Sequence, residues 1–211
     1  MRNRYGKHDI AKMAGRIATC LALAKRDPRG LWTADRYWYG IACDYAERIG
    51  IGLNTKTHTV VGFMSALSPR NNWESQLKHT PVQLKAALQG LPVPHEGTGD
   101  MKRKAKRIAD GEDPMDVLGG TKVRAFYLAI LSRGNATLPP PLQGSSVDED
   151  VVVDVHAWAV ATGKLDGIVP VTGYRAASRA YHVVANAASM PVHHVQAVCW
   201  AQWRRTKSLE V

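Results

Sequence analysis

The sequence predicts an all-α protein with roughly eight to ten helices in a single domain. Apolar residues recur at helical spacing along almost the whole of the 211-residue chain. No segment shows the sustained alternation of a half-buried strand, and the run Val151–Val153 is too short to predict a sheet. A hydrophobic content of 45% with 22% charged residues is typical of a globular domain that buries a core.

The first part of the chain is predicted to form three consecutive helices. Apolar residues on one face define the first helix, and Pro28 ends it. The second helix is predicted from Thr33 to Ile49. The third runs from Thr57 to Leu67 and is stopped by Ser68 and Pro69.

Two more helices are predicted on either side of a loop rich in glycine and proline. The first begins at Asn71 or Asn72 and continues to about Leu88. Asn71 with Glu74 has the spacing of a capping box. After the loop, Met101–Ala109 is predicted to be a short and strongly basic helix.

The remainder of the chain is predicted to form helices before and after one long connection. A single turn at Pro114–Leu118 is separated by two glycines from a helix over Thr121–Ser132. Residues 134–150, with three consecutive prolines, are predicted to be an extended insertion loop. Three helices then follow: Asp154–Thr162, Thr172–Ala188 and Val192–Arg205. We expect residues 1–56 to pack as N-terminal helices on a core formed by residues 57–205.

The charge balance favours a polyanionic partner. The chain has 28 Lys and Arg against 18 Asp and Glu, a formal net charge of +10. Such a field attracts nucleic acid, although many basic proteins bind nothing specific. No run of 18 apolar residues and no signal peptide are present, so a cytoplasmic protein without a membrane span is predicted.

The cysteines predict neither a metal site nor a cofactor. Cys20, Cys43 and Cys199 lie far apart in apolar helical patterns and form no C-x-x-C pair, so they are expected to be reduced core residues. The acidic run 148–150 offers hard oxygen ligands for a divalent cation, but acidic loop residues usually face water. The histidine pair 193–194 at a helix start is expected to be incidental rather than metal-binding.

Asp154 is the most informative residue of the sequence. Three β-branched residues deliver its carboxylate to the start of a predicted helix, and aspartate is a favoured N-cap. The plain interpretation is therefore a helix cap. The alternative is a catalytic carboxylate, since an acid that enters from a dry segment and faces outward can also do chemistry. His156, two residues further on, is expected to be structural.

The glycine hairpin before the helix at Thr121 suits a phosphate. Gly119 and Gly120 let the backbone approach a ligand closely, and the helix start beyond them presents free N–H groups. Lys122 and Arg124 add positive charge beside it. The pattern is weak alone, because two glycines are more often a C-cap and a turn.

These segments together resemble the helix-hairpin-helix DNA glycosylases of the endonuclease III type. Residues 118–125 (LGGTKVRA) are similar to that family's hairpin, L-P-G-V-G-x-K-T-A, and residues 153–157 (VDVHA) to its V-D-T-H-V motif. Residues 63–73 (FMSALSPRNNW) are similar to its L-S-A-Q-x-T-D segment, and the basic residues 104–108 precede the hairpin as in the family. The resemblance spans residues 57–205.

The chain also departs from that family. The hairpin lacks the proline and the middle residue, and Leu67 replaces the family's glutamine. The insertion lengthens the spacing between Lys122 and Asp154, and the cysteine cluster of some members is absent. The runs 65–73 and 117–126 resemble phage-encoded relatives that hypermodify thymine. The resemblance implies a reaction in which an amine or amino acid displaces pyrophosphate from an activated 5-hydroxymethyluracil.

The resemblance implies roles for individual residues. Asp154 and Lys122 would be catalytic: Asp154 would stabilise the sugar cation or activate water or an amine, and Lys122 would be a nucleophile or grip a phosphate. Trp73 and Tyr37 would stack on a flipped base or are core aromatics. The expected DNA-binding residues are Gly119, Gly120, Thr121, Arg124, Arg70, Asn72, Trp73, Lys102, Arg103, Lys104 and Lys106.

The predicted function is a DNA-binding enzyme that acts on a flipped, modified pyrimidine in phage DNA. Base excision and group transfer at the thymine 5-position both remain open, and the second would need a small amine or amino-acid co-substrate. A non-catalytic module that binds double-stranded DNA is the alternative. A third reading is a basic helical protein that binds RNA or another protein. For the basic run at 102–107, a solvated helix face is equally consistent.

Overall fold

The computed structural model describes residues 5–69, 71–134, 151–165, 167 and 169–208. These residues form eleven α-helices and no strand, which confirms the all-α prediction. The helices are α1 (Lys7–Arg26), α2 (Trp32–Asp35), α3 (Trp38–Gly52), α4 (Thr57–Leu67), α5 (Trp73–Leu88), α6 (Gly99–Ala109), α7 (Pro114–Val117), α8 (Thr121–Leu131), α9 (Val155–Thr162), α10 (Val171–Ala188) and α11 (Val192–Ser208). Across the described ranges, none of these helices is both long enough and apolar enough to cross a membrane.

One predicted helix is in fact two. The segment predicted as Thr33–Ile49 contains the single turn α2 and the longer α3, which are separated by Arg36 and Tyr37. The one-turn helix predicted at Pro114–Leu118 is present as α7. Residues 135–150, nearly all of the predicted insertion loop, lie outside the described residues.

The helices enclose two hydrophobic clusters. The central core is built by α3 to α8 and contains Phe63, Met64 and Leu128. The terminal core is built by α1, α9, α10 and α11 and contains Ile17 and Tyr181. The N-terminal segment therefore divides: α1 packs on α9, α10 and α11, whereas α3 packs on α4 and α8.

Helix α4 is the centre of the central core. Every residue from Val60 to Leu67 is buried, because a helix that is apolar on all sides has to be surrounded by others. It contacts α3, α6 and α8 along its length. Gly62 lets α7 approach: a Cβ at this position would lie 2.6 Å from the Pro114 ring. The end of α4 thereby delivers Ser68 and the following asparagines to one edge of the core.

Candidate active-site cleft

Asp154 lies where an extended segment passes between the two cores. Val151 and Val153 are buried in the terminal core, whereas Val152 is buried in the central core. Successive side chains of an extended backbone point to opposite sides, so three consecutive valines anchor both clusters. Asp154 follows as the N-cap of α9. Its carboxylate is therefore held at the boundary between the cores.

The Asp154 carboxylate has three hydrogen-bond donors from two helices. Its Oδ1 accepts from the backbone N–H groups of His156 at 3.0 Å and Ala157 at 2.8 Å. Its Oδ2 accepts from the indole Nε1 of Trp200 on α11 at 3.0 Å. The first two bonds are those of an ordinary N-cap. The third is not part of a cap, and it fixes the direction in which the second oxygen points.

A cavity lies against this carboxylate. It encloses about 600 Å³ of empty space, part of it open to solvent. Its charged lining residues are Asp154 and Lys122. Its aromatic lining includes Trp38, Trp73, Phe126 and Trp200, and its amide lining consists of Asn71, Gln76 and Gln196. We call this space the inner cavity.

The aromatic side chains of the inner cavity form one cluster around Trp38. The Trp38 ring centroid lies 4.6 Å from that of Trp73, 5.8 Å from that of Trp200 and 6.0 Å from that of Phe126. These are contact distances for tilted aromatic pairs. Trp73, predicted either to stack on a base or to belong to the core, packs on the central core and also lines the cavity. Stacking on a base stays a prediction.

Lys122 shares the inner cavity with Asp154 but does not pair with it. It lies in the first turn of α8, half-buried, and lines the same space. Within the described part of the chain, no carboxylate lies within ion-pair distance of its ammonium group. The amine is therefore available to a ligand in the cavity.

The glycine hairpin has the geometry of a close helix start. Gly120 is the N-cap of α8 with φ of 81°, a left-handed conformation that favours glycine. Thr121 opens the helix behind it. A Cβ on Gly119 would lie 3.5 Å from the Lys104 ammonium, so a cation from α6 stands beside the hairpin. The start of α8 and the Lys104 ammonium are therefore close to each other, and both favour an anion.

Arg124, predicted to contact DNA, forms hydrogen bonds within the hairpin. Its Nε donates to the carbonyl of Leu118 at 3.1 Å and its Nη2 to the carbonyl of Met115 at 2.6 Å. These carbonyls belong to the end of α7, where helical acceptors have no partner of their own. Two of the guanidinium nitrogens are thus engaged by the protein, and contact of Arg124 with DNA stays a prediction.

The basic helix α6 is largely matched by its own acids. Asp100 pairs with Arg103 at 2.6 Å and with Lys104 at 2.7 Å. Lys106 pairs with Asp110. Exposed ion pairs of this kind contribute little stability and exchange readily for other anions. Lys102 forms no ion pair with any residue in the described ranges, so the net attraction of this helix is smaller than the sequence run predicts.

The asparagines after α4 have different roles from those predicted. Asn72 is the N-cap of α5, and its side chain accepts from the N–H of Ser75 at 2.6 Å. The predicted capping box of Asn71 with Glu74 is therefore wrong, because the cap lies one residue later. Asn72, predicted to bind DNA, uses its oxygen for the helix, while Asn71 faces the inner cavity. Arg70 lies outside the described residues.

A second, wider cavity adjoins the first. This outer cavity has about 1400 Å³ of empty space and shares Ser68, Asn71, Trp73, Lys122, Asp154 and Trp200 with the inner one. Arg204 and His156 stand at its wall. The Arg204 guanidinium lies 4.7 Å from the Trp200 ring centroid, a cation–π distance. The two cavities form a cleft with an aromatic floor and a cationic rim.

Several cleft residues carried no usable sequence signal. Trp200 lies in the third turn of α11, and nothing in its neighbourhood predicts contact with a residue 46 positions earlier. Gln196 is buried and accepts from the Tyr39 hydroxyl at 2.7 Å. Burial, with a contribution from the Asp154 charge, raises the pKa of Tyr39 well above its usual range, so the phenol stays protonated. The sequence feature that could have indicated such residues is an amide side chain on an otherwise apolar helix face.

Other predicted features lie away from the cleft. Tyr37 is half-exposed and contacts His194 and Arg36, so it is not a cavity residue. His193 packs on Tyr39 within the fold. Among the described residues, no group of three or more His, Cys, Asp or Glu side chains is arranged to hold a metal ion. The acidic run 148–150 lies outside those residues.

Comparison with known proteins identifies the family. Residues 7–207 match the model of a family of unknown function (DUF7178), and the chain belongs to that family. No curated protein and no solved structure matches the sequence. The family description gives no activity, so a function has to be inferred from the cleft.

Proposed function

We propose that this member of the DUF7178 family is a DNA-binding enzyme that acts on a flipped, modified pyrimidine through Asp154. The proposal includes the helix-hairpin-helix glycosylase type of fold and a place of action in the cytoplasm of a phage-infected cell. It is supported by one observation above all. Asp154 and Lys122, which are 32 positions apart in the sequence, line the same cavity with five aromatic side chains.

The cavity has the ingredients that a displaced base needs. Flipping a nucleotide out of a duplex costs a few kcal/mol, which stacking and hydrogen bonds in the pocket have to offset. Trp38, Trp73 and Trp200 provide planar surfaces, and the amides of the lining provide donors and acceptors. A reactive carboxylate stands beside them. This combination fits a heteroaromatic ring better than an aliphatic substrate.

For base excision, Asp154 is the central group. Its Oδ1 is held by two backbone donors and its Oδ2 by the Trp200 indole, so the negative charge has a fixed position. A fixed carboxylate stabilises positive charge that develops on the sugar as the glycosidic bond breaks. It also accepts a proton from attacking water. Lys122 is then the candidate amine nucleophile.

For group transfer at the thymine 5-position, the same residues divide the work differently. Asp154 accepts the proton of an incoming amine, supplied by a small amine or amino-acid co-substrate. Lys122 and the cationic rim at Arg204 lie where they can stabilise a departing pyrophosphate. Arg124 does not serve here, since α7 occupies its guanidinium.

The surface around the cleft fits a DNA backbone. The N-cap Gly120 exposes the first N–H groups of α8, and Lys104 stands beside Gly119. These features suit a phosphate near the cleft that exchanges with Asp100 as the partner of Lys104. Lys102 on α6 is a further cation and forms no ion pair with the described residues. Phosphate contacts of this kind hold the duplex while one nucleotide is displaced.

A non-catalytic DNA-binding module is the second candidate. It is favoured by the fact that both oxygens of Asp154 already have donors within the protein, as those of a purely structural carboxylate would. In that case the cavity would accept a base without changing it. The two candidates differ in product formation and not in DNA affinity.

The test is mass spectrometry of nucleosides and strands after incubation with duplex DNA. The duplexes contain thymine, uracil, 5-hydroxymethyluracil or its pyrophosphorylated form, and amino acids and polyamines are supplied. The variant Asp154→Asn runs in parallel, because its amide oxygen still caps α9 while the carboxylate charge is lost.

Each outcome separates the candidates. A free base or an abasic site that is lost in Asp154→Asn establishes excision, and a mass gain on the base establishes transfer. Unchanged substrates with tight, salt-dependent duplex binding establish the module. Unchanged substrates without duplex binding overturn the proposal altogether.

A further inference from the structure

Two amide side chains that line the inner cavity are oriented by hydrogen-bond partners that lie outside its lining. Gln76 on α5 is buried, with 3% of its surface exposed. Its Nε2 donates to the backbone carbonyl of Met64 on α4. The other atom of the amide, Oε1, is an acceptor and is the group left for a ligand in the cavity.

The second amide, Asn71, is set by a histidine. His95 Nδ1 accepts a hydrogen bond from the N–H of Gly97 at 2.7 Å, so Nδ1 carries no proton. Burial, with the nearby Lys102 charge, lowers the pKa of His95, which keeps the ring neutral. A neutral imidazole with a bare Nδ1 carries its proton on Nε2. His95 Nε2 is therefore a donor.

That donor decides which way the Asn71 amide faces. The amide terminus of Asn71 (Nδ2) lies 3.4 Å from His95 Nε2. Two donors cannot bond to each other, and a half-turn of the amide exchanges Oδ1 and Nδ2 without moving any other atom. The half-turn lets Oδ1 accept from Nε2–H. The Asn71 NH₂ group is then directed to the cavity.

The loop that carries His95 is built for this contact. A Cβ on Gly97 would lie 2.5 Å from His95 Nδ1 and 2.9 Å from the Met101 methyl group. Only glycine lets the backbone N–H come this close to the imidazole. Thr98 then caps α6, which fixes the loop at its far end.

We infer that Asn71 and Gln76 read the imide edge of a uracil-type or thymine-type ring and reject cytosine. A 4-oxo pyrimidine presents a carbonyl acceptor beside an N–H donor, which complements the NH₂ of Asn71 and the Oε1 of Gln76. Cytosine presents the reverse pattern, an amino donor beside a bare ring nitrogen. The inference rests on the proposed function for the arrival of a base in the cavity, and it adds the residues that select the base.

The test measures binding of free nucleosides, independently of duplex DNA. Deoxyuridine and deoxycytidine are titrated into ¹⁵N-labelled protein, and the Trp200 indole resonance reports occupancy. We expect deoxyuridine to bind about tenfold more tightly, since a correctly paired edge discriminates by about 1–3 kcal/mol. In Asn71→Asp the donor becomes an acceptor, so the ratio should fall to about one or invert. Asn71→Ala removes the group and should also lower the ratio.

Asn186→Asp is the matched control. It makes the same chemical change at an exposed position of α10 that lines neither cavity. The preference should survive there, and thermal unfolding of all three variants establishes that they fold. Equal binding of the two nucleosides, tighter deoxycytidine binding, or no binding of either overturns the inference. A parallel gel shift with mispaired duplexes tests the proposed function separately. If the protein prefers deoxyuridine but does not bind a duplex, the proposed DNA enzyme is refuted, whereas base selection by Asn71 and Gln76 is still supported.

Discussion

At the scale of single residues, Asp154 both caps a helix and lines a cavity. As an N-cap it stabilises α9 through two backbone N–H groups. Through Trp200 it also joins α9 to α11 and faces a cavity. The cap explains why the residue is aspartate or a similar polar residue, but it does not explain the indole bond. That bond is what a reactive carboxylate needs in order to be held in one direction.

Removing the indole donor should therefore weaken the fold measurably. Trp200→Phe keeps an aromatic ring and deletes the N–H that binds Asp154 Oδ2. We expect the free energy of unfolding to fall by about 1–2 kcal/mol, because hydrogen bonds to charged groups exceed neutral ones and this one is only partly buried. Urea denaturation monitored by circular dichroism measures the change.

Trp203→Phe is the control for this substitution. Trp203 lies on the same helix, and within the described residues its buried Nε1 has no hydrogen-bond partner. Its replacement removes a similar ring area without breaking a bond, so the loss should be clearly smaller. Equal losses at the two positions would contradict a stabilising Trp200–Asp154 bond.

His193 should make stability depend on pH. Burial, with the nearby His182 and His194, lowers the pKa of His193 to about 4 from an ordinary value of about 6.5. Between these values the unfolded chain binds the proton and the folded chain does not. The free energy of unfolding should therefore fall as the pH drops from about 6.5 to about 4, by about 3 kcal/mol from this group.

The measurement compares variants over that pH range. His193→Gln should flatten the fall in unfolding free energy between pH 6.5 and 4, whatever its effect at pH 7. His8→Gln, an exposed histidine in α1, should leave the slope as it is. If unfolding free energy depends on pH in His193→Gln as it does in the unchanged protein, protonation of His193 does not cause the loss of stability at low pH.

At the scale of elements, the hairpin between α7 and α8 is a rigid part rather than a free loop. Arg124 ties the start of α8 to the carbonyls at the end of α7. Gly120 allows the sharp entry into α8, and Lys104 approaches from α6. A rigid helix start with free N–H groups binds an anion without an ordering cost.

The two glycines of the hairpin should respond differently to a side chain. Gly120 has φ of 81° and Gly119 is not in the positive-φ region. Gly120→Ala should lower the unfolding free energy by about 1–2 kcal/mol, because a Cβ is strained in the left-handed conformation. Gly119→Ala should cost less, since its Cβ meets only the flexible end of Lys104. Paired denaturation curves decide it, and a larger loss at Gly119 would refute the assignment.

At the scale of the whole molecule, the cleft exists because two cores meet there. The central and terminal cores are joined by the alternating valines before Asp154 and by Ala197 of α11, which packs into the central core. The whole chain has a net charge of +10, which is the sign that binding of a polyanion would require. Internal pairing on α6 reduces how much of that charge is free to act.

Salt dependence of duplex binding should show which cations are free. Lys102→Ala removes a cation that forms no ion pair with the described residues, so the slope of log K against log salt should become shallower by about 0.9. Arg107→Ala removes one that is paired with Glu112 at 2.5 Å and should change the slope less. Fluorescence anisotropy with a labelled duplex gives both slopes. A larger change of slope for Arg107→Ala than for Lys102→Ala would contradict the view that neighbouring acidic residues neutralise most cations of α6.

The order and type of the elements could be predicted from the sequence because they depend on local periodicity. The spacing of apolar residues predicted α1, α4 and α10, and the glycine pair predicted the break before α8. The cap of α5 was left open between Asn71 and Asn72, and the capping box was assigned to the wrong one, since the two residues have the same chemistry and only their contacts differ. The break between α2 and α3 left no proline or glycine to indicate it.

What the sequence by itself determined is the all-α fold, the cap at Asp154 and the basic charge, since each follows from neighbouring residues or from composition. Only the tertiary structure decided that Trp200 holds Asp154, that Lys122 shares its cavity, and that Arg124 is occupied by α7. These contacts join residues 9 to 46 positions apart, across helix ends and between two cores. The physical reason is that such pairs are fixed by how the helices pack, and no local pattern in the chain encodes that packing.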